Sequence, residues 1–205
     1  MSNGACGPDH LFGNNWGWVD SQCRGAYTNN GVFPSITDDV ILGTNTVGID
    51  GFGSGSAHDM SIAAGGVLNH AGSMNLTGTF TNGGSVIFNG AGSHHSGTYL
   101  NNNSMVDPEF GRNRTGHDFT LINNGLFELS GSDWSNGSGS CAIVNNGELR
   151  KVQDTWFAPM NGFDVTNNGQ INVNGGTLRF RPTQAHGCRF ESTPSAEYTI
   201  DAAGT

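Results

Sequence analysis

Eight residues in this 205-residue chain have types and spacings that invite a chemical reading. His94, His95, Glu109, His117 and Asp118 are metal-ligating types gathered within 25 positions. A metal site needs three or four such groups converging with a fixed spacing. Their intervals match no recognised ligand pattern, so solvated loop residues are the expectation. Glu128, Glu148 and Arg150 form the second group. Polysaccharide cleavage by acid–base chemistry needs two carboxylates facing one another across the scissile bond. Two glutamates 20 residues apart meet only if the fold repeats at that interval. Otherwise they are a surface ion pair of little energetic weight.

A repeat of that length exists. Turn-forming triplets recur at Ala64-Gly65-Gly66, Asn82-Gly83-Gly84, Asn102-Asn103-Ser104, Asn123-Asn124-Gly125, Asn145-Asn146-Gly147 and Asn167-Asn168-Gly169. Their last residues fall at 66, 84, 104, 125, 147 and 169, intervals of 18 to 22. Four positions before each stand Ile62, Phe80, Leu100, Leu121, Ile143 and Val165, and two positions after each stand Leu68, Val86, Val106, Phe127, Leu149 and Ile171. Apolar residues at period two on both sides of a turn, repeated about every 20 residues, predict a β-solenoid. Separate Asn-Gly hairpins would leave the near-constant unit length unexplained.

The first residue of each triplet shares the parity of the apolar positions. Asn82, Asn102, Asn123, Asn145 and Asn167 are therefore expected to point inward and stack as an amide ladder. The middle residues, Gly65, Gly83, Asn103, Asn124, Asn146 and Asn168, are of the types that adopt positive φ most readily, which a tight corner would use. About seven or eight coils of 18–22 residues are expected over residues 38–205. Residues 90–97, 131–139, 157–162 and the charged run 107–118 read as looser corners or loops. Residues 1–37 carry no repeat and hold Trp16, Trp18 and Phe33, the make-up of an aromatic capping segment over the first coil's open edge.

Composition narrows the partners. Glycine contributes 33 residues, charged residues only 12 %, and the net charge is −9 with a pI near 4.9. That argues against nucleic acid and anionic membranes, and there is no apolar run long enough to span a bilayer. No cofactor motif is present. Cysteines 6, 23, 141 and 188 are an even set in a chain of secreted style, which favours disulfides. Cys6–Cys23 would close a short loop. Cys141 and Cys188 stand about two coils apart, beyond the reach of a disulfide in a regular solenoid, so a free thiol, an irregular coil or an interchain bond all remain open.

The arrangement Asn15-Trp16, Pro34, Asp38-Asp39-Val40 and turns of the Asn-Asn-Gly type resembles secreted bacterial parallel β-helix proteins, the autotransporter passenger-like and adhesin-like surface repeats. The resemblance implies a right-handed parallel β-helix in an extracellular setting, and no catalytic residue. The C-terminal stretch with Tyr198 and Ile200 has no cap-like composition. Its pairing with the aromatic segment of the next copy is expected to give a head-to-tail homopolymer. The expected function is thus a structural subunit of a bacterial surface fibre, filament or adhesive layer. The alternative is a carbohydrate-binding or polysaccharide-cleaving β-helix domain with surface polysaccharide as partner.

Overall fold

The computed structural model describes residues 37, 39–44, 46–49, 54–89, 93–152, 157–181, 189–192 and 197–200. Over these the chain is all β, without a helix, and every strand pairing is parallel. It forms a parallel β-solenoid of about five turns around a stacked asparagine ladder. Each inward position extends a column one rung at a time. One column runs Leu68, Val86, Met105, Phe127, Leu149, Ile171 through successive pairings. All six are buried.

The ladder is real, with one rung corrected. Asn82 Nδ2 donates to Asn101 Oδ1 at 2.8 Å. Asn101, Asn123 and Asn145 each repeat that bond to the next rung at 2.7 Å, the last reaching Asn167. The second amide hydrogen of each goes to a backbone carbonyl: Asn82 to Ser104 and Asn145 to Gln170, both at 2.9 Å. The inward rung is Asn101, not Asn102. At residues 101–104 the chain reads Asn-Asn-Asn-Ser, so no glycine marks the corner and the repeat is mis-set by one position there. A one-residue slip exchanges the two faces of a strand. Tyr99 and Met105 are therefore the buried pair, while Leu100 and Val106 are only half-buried. Asn102 joins a second ladder on the outside, accepting from Asn124 at 2.9 Å. Asn124 and Asn146 then accept from the next rung at 2.9 and 2.8 Å.

Positive φ is not what selects the corner residues. Of the six middle positions only Gly65 has it (φ 85°). At the third residue of the glycine-marked corners the constraint is close approach. A Cβ on Gly147 would lie 2.2 Å from the carbonyl oxygen of Gly125 in the turn below, so the backbones stack too tightly for a side chain.

The charged run 107–118 is no loop. It lies within the 20-residue strand Ser104–Asn123, which bends around the solenoid. Residues 131–138 likewise belong to the strand Leu126–Ser138 and residues 157–161 to Phe157–Asn161. The two long strands pair with register shifts at Leu129/Gly131, Gly131/Asp133 and Asn136/Ser138, where bulges bend the backbone.

Replacing Asn145 by Ala should take from the Asn123 amide its partner in the buried ladder, at a cost of about 1–3 kcal/mol. Asn146→Ala, in the exposed ladder, should cost almost nothing. Equal unfolding midpoints for the two variants would refute the internal ladder's role.

Candidate functional site

The densest chemistry lies inside the solenoid. Asp107 follows Met105 at inward parity and pairs in register with Leu129, so its carboxylate is buried. Arg114, inward from the same strand at the level of Trp134, meets it there. The Arg114 guanidinium donates to both Asp107 oxygens at 3.2 Å, and to the Phe88 carbonyl at 3.3 Å. Ser132 Oγ adds a bond to Oδ1 at 2.9 Å and Trp134 Nε1 one to Oδ2 at 3.0 Å. The guanidinium carbon also sits 5.7 Å from the Phe88 ring centre, in cation–π range. A buried ion pair is tolerable only when its remaining donors and acceptors are met. Two side-chain donors beyond the arginine meet that requirement for Asp107.

Two histidines share this interior. His95 was expected in a solvated loop; the structure buries it fully, its Nδ1 3.1 Å from the Tyr99 hydroxyl and its ring stacked on Trp134 at 5.5 Å. His70 packs edge-on to His95 at 5.1 Å, with neither ring nitrogen hydrogen-bonded. Burial, and then the Arg114 charge, push His70 down to about 3; burial likewise pushes His95 well below its usual range. Lys151 is buried too, donating to the Val152 carbonyl at 2.9 Å. Sequence reading missed all of these interior groups except His95, because it placed 107–118 outside and treated inward parity as apolar. The parity of Asp107, two after Met105, was the usable signal.

On the outer face, Glu128, Arg150 and Glu148 do come together. Arg150 grips Glu148 with two bonds of 2.8 and 2.7 Å and reaches Glu128 Oε2 at 3.2 Å. Asn172 donates to Glu148 at 2.6 Å. These bonds, chiefly from Arg150, hold the Glu148 carboxyl below its ordinary value. Both carboxylates thus serve one guanidinium on a partly exposed surface, the arrangement of an ion-pair strip.

Of the five possible ligands, the structure joins His94 and His117. His117 Nε2 lies 3.2 Å from His94 Nδ1, and His117 Nδ1 lies 2.7 Å from Ser138 Oγ. Asp118, at φ 48°, turns away to accept from the Ser140 backbone at 3.1 Å. Glu109 has no described side chain. A group not foreseen, Asp39, His58 and Asp59, brings one ligand atom each within 4.8 Å of the others, beside an open cleft of about 250 Å³ lined by Ser61, Thr79 and Thr81. His58 Nδ1 contacts Asp39 at 3.2 Å and Asp59 at 3.6 Å, and Asp59 also accepts from the Thr79 backbone at 2.6 Å. A polar corner at the surface, held by the His58–Asp39 contact and the Thr79 N–H, accounts for those contacts.

Trp16, Trp18, Phe33, Cys6, Cys23 and Cys188 lie outside the described residues. Tyr198 and Ile200 belong to the strand Glu197–Ile200, which pairs parallel with Gln170–Val173. Cys141 is buried as a free thiol, and burial raises its pKa. Compared with family models, curated proteins and solved structures, the chain matches none.

The buried histidines make stability depend on pH. The folded-state value of His70 lies below the ordinary 6.5 of an unfolded chain. Between those values the unfolded state binds a proton that the folded state refuses. The stabilisation is therefore complete above about pH 6.5 and falls on acidification toward pH 3, by up to about 1.4 kcal/mol per pH unit for one group. His70→Leu should flatten that acid limb in denaturant titrations; an unchanged slope would show that His70 is not its source. In the ion pair, Asp107→Ala should cost about 3–5 kcal/mol by stranding Arg114. Arg114→Met combined with Asp107→Leu should recover most of that loss.

Proposed function

We propose that this protein is an extracellular structural element, a β-solenoid subunit of a bacterial surface fibre, filament or adhesive layer that assembles end to end. The observation that carries the reading is the continuous internal amide ladder from Asn82 to Asn167, each rung bonded to the next at 2.7–2.8 Å. Such a stack couples every turn to its neighbours along one axis, which stiffens a rod more than it shapes a pocket. The parallel strands support growth along that axis as well, since their backbone hydrogen bonds run along it. Pairings at the two ends of one inward column, Val40 with Met60 and Val165 with Phe190, support the fuller count of seven or eight coils. A surface of Thr, Ser and Asn with few charges suits an exposed extracellular layer. In this reading Trp16, Trp18 and Phe33 dock against Tyr198 and Ile200 of the next copy, and the protein is not an enzyme.

A second reading, a polysaccharide-binding or polysaccharide-cleaving domain, draws on the Glu128–Arg150–Glu148 strip and its neighbour Asn172. The two readings separate cleanly in solution. Sedimentation velocity and negative-stain microscopy of the full chain should show rods that lengthen with concentration, and a monomer at every concentration would overturn the assembly. Changing Glu128 and Glu148 together to Gln should leave assembly intact. A polysaccharide-cleaving activity that this double change abolishes would favour the enzyme instead.

A further inference from the structure

We infer that His94 and His117 form a two-histidine site for a first-row transition-metal ion such as Cu²⁺ or Zn²⁺. The two residues are 23 positions apart and meet because the solenoid stacks their turns, with ring centres 5.3 Å apart on the exposed surface. The atoms that face one another are His94 Nδ1 and His117 Nε2, 3.2 Å apart. Two imidazole nitrogens bound to one ion at about 2.0–2.1 Å, with a ligand angle between a right angle and a tetrahedral one, stand about 2.9–3.4 Å apart. The observed separation falls inside that interval without any movement of the backbone.

The surroundings set the tautomer. When His117 carries its proton on Nδ1, it donates to Ser138 Oγ across 2.7 Å and leaves Nε2 unprotonated beside His94 Nδ1. Metal-ligating histidines are held in this way, by a hydrogen bond at the other ring nitrogen. A second feature keeps the spot open. Gly137 lies against the ring and the Thr115 methyl: a Cβ there would stand 2.7 Å from His117 Cε1, 3.1 Å from Nε2 and 2.4 Å from Thr115 Cγ2. The lack of a side chain leaves the ligand atom accessible where a larger residue would cover it. Imidazole suits copper, zinc and nickel, and copper binds such nitrogen sets most strongly of the three. Water or a donor from a neighbouring molecule completes the coordination. In the metal-free protein one proton lies between the two rings, donated from His117 Nε2 to His94 Nδ1 or in the reverse sense.

The test is a Cu²⁺ titration of the full chain, followed by calorimetry and by electron paramagnetic resonance, with Zn²⁺ as a second probe. Thiols are alkylated beforehand so that cysteines outside the described residues do not contribute. The expected spectrum shows two coordinating nitrogens. His94→Gln and His117→Gln should each remove one nitrogen and the bound equivalent. Ser138→Ala should weaken binding about tenfold while keeping both nitrogens, and Gly137→Val should weaken it by covering Nε2. His58→Gln is the control and should change nothing. Both histidines are on the surface, so the two histidine variants should fold with unaltered midpoints in the absence of metal. Undiminished binding in both His94→Gln and His117→Gln, or no copper-dependent signal in the parent chain, would overturn the site.

Discussion

A hydrogen bond from one asparagine amide to the next, taken at the spacing of stacked strands, is the constraint to which this solenoid is built. An inward amide at a corner has two donors and an acceptor to satisfy, and a buried group left unpaired costs more than a made bond returns. Here one N–H reaches the next asparagine, the other reaches a backbone carbonyl, and the oxygen receives the rung before. That closure holds only if every turn presents the same residue at the same height. At its ends the ladder gives way to other solutions. Ile62 occupies the position before Asn82, and Ser192 the position after Asn167, whose amide then turns to its own corner at Gly169.

The interior column beside the ladder shows the opposite case, a place where the stacked residues differ. His70 pairs with Phe88, and Asp107, Leu129, Lys151 and Val173 follow one another further along it, tied by their register. A stack of identical apolar residues would be simpler. Instead Asp107 and Arg114 neutralise one another within a shell of aromatic rings, Phe88, His95 and Trp134, whose centres lie 5.5–5.6 Å apart. The carboxylate is met by Arg114, Ser132 and Trp134, which offsets part of its desolvation. Only one arrangement of turns brings Arg114, Ser132 and Trp134 to the same acid. The neutral histidines are consistent with that economy: next to a buried guanidinium, a second positive charge has no compensation.

The repeat itself was legible in the sequence because two independent periods agreed, period two within strands and about 20 residues between them. Where the corner was marked by glycine, as at Gly125, Gly147 and Gly169, the inward asparagine was read correctly. Where Asn101-Asn102-Asn103-Ser104 replaced it, nothing local distinguished the first asparagine from the second, and the rung was placed one residue late. The interior charges were hidden for a different reason. A run such as Asp-Pro-Glu-Phe-Gly-Arg-Asn-Arg reads as solvated because charges are rarely buried. Asp107 and Arg114 stabilise one another only in a turn whose curvature the linear pattern does not express.

The surface sites follow from the same geometry and explain why motif reading fails on solenoids. His94 and His117, Glu128 and Arg150, Asp39 and His58 are separated by 23, 22 and 19 residues, about one turn each. Stacking turns an interval of one repeat into a side-by-side contact, so a functional pair in such a fold is written at the repeat length rather than at the short spacings of helices and hairpins. Inward positions are committed to the ladder and the core, and changing them disturbs every neighbour along the axis. Outward positions carry no such obligation. Chemistry in this protein is therefore free to arise wherever two adjacent turns bring compatible side chains together on the outer face, and the His94–His117 contact, a diagonal one beside the His95/Gly97 register shift, is one such coincidence of type and open space.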